Sequence, residues 1–445
     1  MQSSRKMMIT TLLALLLIQG SVVVAQTKNE FSVKQAVDYS LKNAVQVKNA
    51  LLDIKIQEQV NRQYTAIALP QVSSSLTSNH YFDIPTNLLP GEIVNRPGTK
   101  VPVQFGSPWN TTAGIDLSQI LFDGQVFIAL KARKNTLLLS SKTAEVTAEQ
   151  IKANVYKVYY QLVVGKKQLT ALDANIVRFE KLLAEVREIY KNGFAERLDI
   201  DKVVVQINNI KTEKVKIENL LLTGNSGLKF LMGMPQKEEL VLTDTLSEAV
   251  LKANILDENY NYADRKEMQL LNVVKKLDSL NVKRYKLMRW PTIVAFANYN
   301  KSAQRSSFDY FGKGDWFTSS FAGLRVSMPI FDGNNRKAHL QQAKYELEKV
   351  KNNMDNFKEA VDYEVSNARD NMKNAILTVD NQKQNVTLAE KVYNTTKKKY
   401  EQGLGSNQEI YFAQTELKVA QTNYYSALYD AISAKIDYLK ATGKL

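Results

Sequence analysis

Residues 109–234 and 330–445 contain no proline, although nine prolines punctuate the rest of the 445-residue chain. Proline removes a backbone donor and clashes with the preceding helical turn, so these are the stretches where long helices can form. Their apolar pattern agrees. Positions 151, 155, 158, 162, 165, 169, 172, 176, 179, 183, 186 and 190 advance by alternating fours and threes, and all but Gly165 are apolar or aromatic. This is a heptad seam, which needs another helix packed against it. Trp109, Trp290 and Trp316 lie instead in or beside the proline-bearing stretches, so long helical segments alternate with two short aromatic ones.

An internal duplication relates the halves. Ser118-Gln119-Ile120-Leu121-Phe122-Asp123-Gly124 returns 209 residues later as Ser327-Met328-Pro329-Ile330-Phe331-Asp332-Gly333, and Tyr190-Lys191-Asn192-Gly193 returns 210 later as Tyr400-Glu401-Gln402-Gly403. Leu69-Pro70 has a counterpart in Trp290-Pro291. Adding 210 to the heptad positions gives a second seam from Val361 to Tyr400, built from smaller residues. After each glycine turn a further seam starts, through Ile200, Val203, Ile207 and Ile210, and through Ile410, Ala413, Leu417 and Ala420.

Lengths then set out an architecture. Gln125–Gly193 and Asn334–Gln402 hold 69 residues each, or about 100 Å of helix. The returning helices, Glu196–Met232 and Ser406–Thr442, hold only 37. Ser32–Leu69 and Tyr260–Arg289 are left to cover the rest of the long helices. The domain reading is therefore residues 1–25 as a leader, 26–232 as a first repeat, 233–259 as an irregular equatorial strap, and 260–445 as a second repeat. Each repeat contains a helix, a β-hairpin (about 71–122 and 291–331), a long helix and a returning helix.

The hairpins are two-faced. Thr111, Ala113, Ile115 and Leu117 alternate with Thr112, Gly114, Asp116 and Ser118, while Ala322, Leu324, Val326 and Met328 alternate with Gly323, Arg325 and Ser327. An apolar and a polar face at this length suit a strand of a membrane barrel. Soluble hairpins packed on helices are the competing reading. Aromatic placement favours the barrel: Tyr81, Phe82, Trp109, Trp316 and Phe317 fall near the hairpin tips, and Phe122, Trp290 and Phe331 at the helix ends. Two aromatic levels match two membrane interfaces. Four strands cannot close a barrel, and an open edge in lipid leaves backbone groups unpaired, so neighbouring subunits are required. Two chains supply eight strands and a filled interior; three supply twelve and a bore, which suits helices continuing into a hollow cylinder.

Composition excludes other classes. Cysteine is absent, and His80 and His339 are the only histidines, so no metal site or cofactor is expected. Residues 1–25 read as a secretory leader, with Arg5-Lys6, an apolar run from Met7 to Ile18, and Val23-Val24-Ala25 before the cut. A membrane anchor is the alternative. The formal charge of +14 becomes +12 without Arg5 and Lys6, and it is spread along the chain, so nucleic acid is not an expected partner. No nucleophile motif, phosphate loop or acid–base constellation is present, and an enzyme is not expected.

The repeated Ser-x-x-Leu/Ile-Phe-Asp-Gly, the Tyr-x-x-Gly turns, the Leu-Pro and Trp-Pro strand entries, and Phe31–Ala50 with its Gln35-Ala36 and Leu41-Lys42-Asn43 together resemble the TolC-type outer-membrane efflux proteins, over about residues 30–443. The resemblance implies a mainly α fold with a membrane β-barrel. Long coiled-coil helices would form an α-helical tunnel, and four strands per protomer would close a twelve-stranded barrel in a homotrimer. It implies a location in the outer membrane of a Gram-negative bacterium, among outer-membrane lipid, with a periplasmic extension. The partners implied are a periplasmic adaptor (membrane fusion protein) and an inner-membrane pump of RND or ABC type, which supplies the energy. The channel would be a passive exit duct for efflux or type I secretion, gated at its periplasmic tip.

Residue by residue, the family's gate acids fall on Glu409 and, as a departure, Phe412, with Asp199 in the same place in the first repeat and Asp201 nearby. A favourable charge at a helix N-terminus is the alternative role for Asp199 and Glu409. Adaptor docking is expected at Gly193, Phe194 and Ala195 and at Gly403, Leu404 and Gly405, where glycine capping is also expected. A periplasmic coiled-coil adaptor or scaffold is the alternative function.

Overall fold

The computed structural model describes residues 29–245, 259–312 and 314–445. The expected leader, residues 1–25, and the part of the expected strap over residues 246–258 lie outside them. In chain order the elements are β1 (Asn29–Phe31), α1 (Val33–Asn43), α2 (Val45–Ile67), β2 (Gln71–His80), β3 (Thr86–Pro90), β4 (Lys100–Gln104), β5 (Trp109–Phe122), α3 (Gly124–Lys191), α4 (Arg197–Met232), β6 (Leu240–Leu242), α5 (Lys266–Leu287), β7 (Thr292–Arg305), β8 (Phe317–Ser327), α6 (Asn335–Glu401) and α7 (Asn407–Ala441). The long helices end within two residues of the expected bounds. The opening helix, expected unbroken, divides at Ala44, whose ψ of 132° leaves the helical region. Two compact units cut across the duplication: residues 1–48, 148–260 and 364–445 form one, and 49–147 and 261–363 the other.

The second unit holds an antiparallel sheet of order β2-β5-β7-β8, so the two expected hairpins join through β5 and β7. The tip between β2 and β5 carries a small hairpin, β3 against β4. β7 runs 14 residues, to Arg305. Helices of this unit pack through Met268, Val350 and Met354, with Phe357 lying beneath Arg265 at 5.5 Å. Asn61 Nδ2 donates to Arg133 O at 2.9 Å, joining α2 to α3.

The first unit is helical, with three apolar cores. One buries Ala36, Val37, Val155, Tyr159, Leu228 and Met232, where α1, α3 and α4 meet. The segment expected to be an irregular strap begins as β6, which pairs in parallel with β1. A second core joins α3 to α6 and α7 through Ala153, Val379, Ala431 and Ile432. The third packs Phe179, Leu182 and Val186 of α3 on Ile200, Val203, Ile207 and Ile210 of α4, with Ile410 of α7. In this last core the buried stripe of α3 is 172, 175, 179, 182 and 186, while Ile176 and Leu183 are half-buried and Tyr190 is exposed. The buried stripe keeps the 3.5-residue spacing but takes 175 and 182 in place of their neighbours 176 and 183.

Among the described residues no helix is long and apolar enough to cross a membrane.

Candidate functional site

Two features stand out in chemistry from the rest of the molecule, and each lies within one unit: the paired glycine turns and the two-faced sheet. α3 and α6 end at glycines in the left-handed conformation, Gly193 at φ 81° and Gly403 at φ 71°. Both ends carry the two Schellman bonds. Gly193 N donates to Tyr190 O and Phe194 N to Ile189 O; Gly403 N donates to Tyr400 O and Leu404 N to Lys399 O.

α4 ends in the same motif at Gly233, and the contrast is informative. A Cβ there would come within 2.2 Å of Asn43 O, and the following Met234 is 4% exposed. At Gly193 and Gly403 a Cβ would meet nothing within 4 Å, and Phe194 and Leu404 are 84% and 75% exposed. Capping accounts for the glycines but leaves these two apolar side chains unexplained. Ala195 and Gly405 beside them are half-buried.

Just past each turn a helix begins with an acid in its first turn, where the helix dipole favours negative charge. Asp199 Oδ2 accepts from Glu196 N at 3.3 Å, and Glu409 N donates to Ser406 Oγ at 3.2 Å. Lys202 Nζ lies 3.8 Å from Asp199 Oδ1 and 3.4 Å from Gln408 Oε1, so one lysine ties α4 to the start of α7. Asp201 pairs with Arg197 at 3.2 Å and faces solvent. Phe412 is also exposed, its ring edge-on to Tyr411 at 6.0 Å. Tyr400 donates to Asn407 Oδ1 at 2.5 Å, and its hydroxyl is pushed up to about 12, chiefly by burial and then by the charges of Glu185 and Asp199. Deeper in the coiled coil, Arg178 Nη2 donates to the buried Asn175 Oδ1 at 2.5 Å, and Asn175 Nδ2 donates to Gln421 Oε1 at 3.0 Å. Desolvation lowers the Arg178 pKa from its ordinary value.

On the sheet, the register Val72↔Leu117↔Ala297↔Ala322 and Leu76↔Ala113 places the small and apolar residues on one face. Ser73, Asp116, Asn298 and Phe321 occupy the other. On that polar side Asn298 Nδ2 donates to Asp116 Oδ1 at 2.6 Å, and Arg325 stacks over Phe296 at 5.2 Å. A register shift between Ile120 and Phe122 inserts one extra residue in β5. Such a bulge reverses the alternation beyond it, so Phe122 joins Ile293 on the apolar face, 6.3 Å from Trp290.

At the other end His80, Phe82, Trp109, Phe308, Tyr310 and Trp316 form a chain of ring contacts. Trp290, Phe331 and Phe82 are exposed. Phe317 pairs with Ser302 and shares the alternation of Phe321 and Arg325, which places it on the polar face rather than the apolar one. Tyr81, bonded through its N to Pro108 O just past β2, continues the alternation of the polar residues Ser73 to Asn79.

The motifs did not point to Lys202, Asn175 or the bulge. The bulge alone left a trace, because Phe122 has the wrong parity for the face of Thr111, Ala113, Ile115 and Leu117.

Residues 281–444 match the family described as outer membrane efflux protein. The chain is 20% identical over 343 residues to the proteases secretion protein PrtF of Dickeya chrysanthemi, covering 75% of this chain and 71% of that protein. It is 19% identical over 337 residues to the alkaline protease secretion protein AprF of Pseudomonas aeruginosa, covering 74% and 68%. Among solved structures, the outer membrane protein VceC of Vibrio cholerae superposes with a TM-score of 0.73 at 15% identity, covering 92% of this chain and 96% of that one. The outer membrane channel CmeC of Campylobacter jejuni gives 0.76 at 16%, covering 93% and 85%.

Proposed function

We infer the working arrangement of this chain from the premise that it belongs to the TolC-type outer membrane efflux protein family. It is a non-enzymatic outer-membrane efflux channel with a periplasmic helical extension. Channels of the family are trimeric and act within tripartite efflux or secretion systems. We propose that three copies of this chain join their four-stranded sheets into one twelve-stranded barrel. Its helical extension receives a periplasmic adaptor, which links it to an inner-membrane pump of RND or ABC type.

The observation that carries this reading is the open sheet: among the described residues β2 and β8 have no neighbour on their outer sides, and only closure satisfies such edges in hydrocarbon. The sequence relatives, both named for protease secretion, favour polypeptide export for this chain as well.

Docking is assigned to the glycine turns, through Gly193, Phe194, Ala195, Gly403, Leu404 and Gly405. The support is the exposure of Phe194 and Leu404 in a motif that elsewhere buries its apolar residue at Met234. The gate is assigned to the level of Asp199, Asp201, Glu409 and Phe412, with Lys202 as the link between the two coiled coils.

Charged replacements at both exposed positions, Phe194→Glu with Leu404→Glu, are expected to abolish export while heat-resistant trimers persist in outer-membrane fractions. Unimpaired export would remove the docking role. In planar bilayers, Asp199→Ala with Glu409→Ala is expected to raise single-channel conductance. Traces identical to wild type would leave these acids as helix-terminal charges only.

A further inference from the structure

The helix segments adjoining the sheet carry a charge bias that channel formation does not use. Residues 59–70, 124–138, 281–290 and 333–343 hold ten lysines and arginines and no aspartate or glutamate, although the chain as a whole has 59 basic and 45 acidic residues. At the average density those segments would hold about five acids, so the bias is local.

Its orientation follows from the bulge. Phe122, turned to the apolar face, contacts Phe127 at 5.5 Å and Trp290 at 6.3 Å. Lys131 and Lys134 follow Phe127 by four and seven residues and therefore share its helix face. Lys283 and Lys286 lie in the last two turns of α5, which ends at Leu287 just before Trp290. All four lysines are exposed, and among the described residues none forms an ion pair. They stand about 6–10 Å from the aromatic level along their helices, within reach of headgroups for a snorkelling lysine. Between α2, α3 and α5 lies a cavity of ≈ 180 Å³ with Arg133 and Arg284 in its lining and no acid. Arg284 Nε is buried there without a hydrogen-bond partner.

We propose that this collar binds the phosphate headgroups of anionic phospholipids in the periplasmic leaflet of the outer membrane, with the Arg133–Arg284 cavity seating one phosphate. The proposal rests on the membrane placement of the sheet. It excludes the phosphates of surface glycolipids, because the collar lies at the helical end of the strands and not at the hairpin tips.

The test uses the purified full-length trimer in mixed micelles, with retained lipids counted by native mass spectrometry. Phosphatidylglycerol is expected to be retained on the order of tenfold over phosphatidylcholine at low salt, with the preference collapsing at about 0.5 M NaCl as screening sets in. Millimolar inorganic phosphate is expected not to displace it. The variant Lys131→Gln, Lys134→Gln, Lys283→Gln and Lys286→Gln is expected to lose most of the preference, and Arg284→Gln to lose the last retained lipid.

Equal retention of the two lipids by wild type, a salt-independent preference, full displacement by phosphate, or preferential retention of lipid A would each overturn the proposal. The salt and lipid comparisons need only wild-type protein, so they stand if the variant does not fold. Bilayer conductance of the same preparation shows separately whether the channel reading holds.

Discussion

Single side chains hold the helical unit together in ways a pattern of apolar positions does not reveal. Tyr159 is fully buried; its hydroxyl donates to Phe31 O at 2.8 Å and accepts from Asp244 N at 3.3 Å, so it fastens both β1 and the segment after β6 to α3. Its pKa rises to about 12, mainly through desolvation, as does that of Tyr400 at the coiled-coil tip. For both, the folded value lies above the unfolded value near 10. The stabilisation is therefore complete below about pH 10 and is lost as pH climbs through 12. Tyr400→Phe removes an ionisable group, so the alkaline loss of tip helicity, followed by circular dichroism, is expected to be shallower between pH 10 and 12 than in wild type. Lysine deprotonation is common to both proteins and cancels in the comparison. Tyr159→Phe removes two hydrogen bonds, leaving Phe31 O with only the bond from Thr243 N, and is expected to cost about 1–3 kcal/mol, with faster hydrogen exchange at residues 29–31 and 240–244. Tyr400 was visible as a member of the repeated Tyr-x-x-Gly turn. Tyr159 was not, because it lies off the heptad seam and its partners are 128 and 85 residues away.

Elements were legible where local chemistry decides them and illegible where a distant contact does. The bounds of β5 and the caps of the long helices follow from alternation, proline placement and glycine. The division of the opening helix at Ala44 carries no proline or glycine signal. A tertiary contact sits there instead: the end of α4 approaches Asn43 O so closely that only glycine fits at position 233. The bulge in β5 is decided in the same way, by the pairing with β7. Phe122→Ser removes the ring that the bulge turns to the apolar face beside Trp290. The expected result is a lower thermal transition for the trimer with unchanged far-ultraviolet helicity, and altered quenching of tryptophan fluorescence by lipid-borne quenchers. Retention of the wild-type transition would mean that the ring adds nothing to the apolar girdle.

At the scale of the whole molecule, the duplication, the helix lengths and the need for subunits were all readable, since each follows from period, length and backbone hydrogen bonding. The gate proposed at Asp199 and Glu409 is less readable, because both are also well placed simply as first-turn acids. The two-faced sheet offers the sharpest test of the assembled channel. Leu76 lies on the face of Ala113, Ile115 and Leu117, whereas Ser75, its neighbour on the same edge strand, pairs with Gly114 on the polar face. An arginine facing mid-membrane lipid costs about 2–4 kcal/mol per site, while one facing a water-filled bore costs little. Leu76→Arg therefore places three such penalties in each trimer and is expected to abolish refolding into lipid vesicles, measured as recovery of heat-resistant trimers. Ser75→Arg is expected to refold like wild type and to shift channel selectivity toward anions. A soluble sheet packed on helices would not sort the two variants in this order, because both positions are exposed in the single chain. The difference between them thus reports on the lipid and the bore that three copies create together.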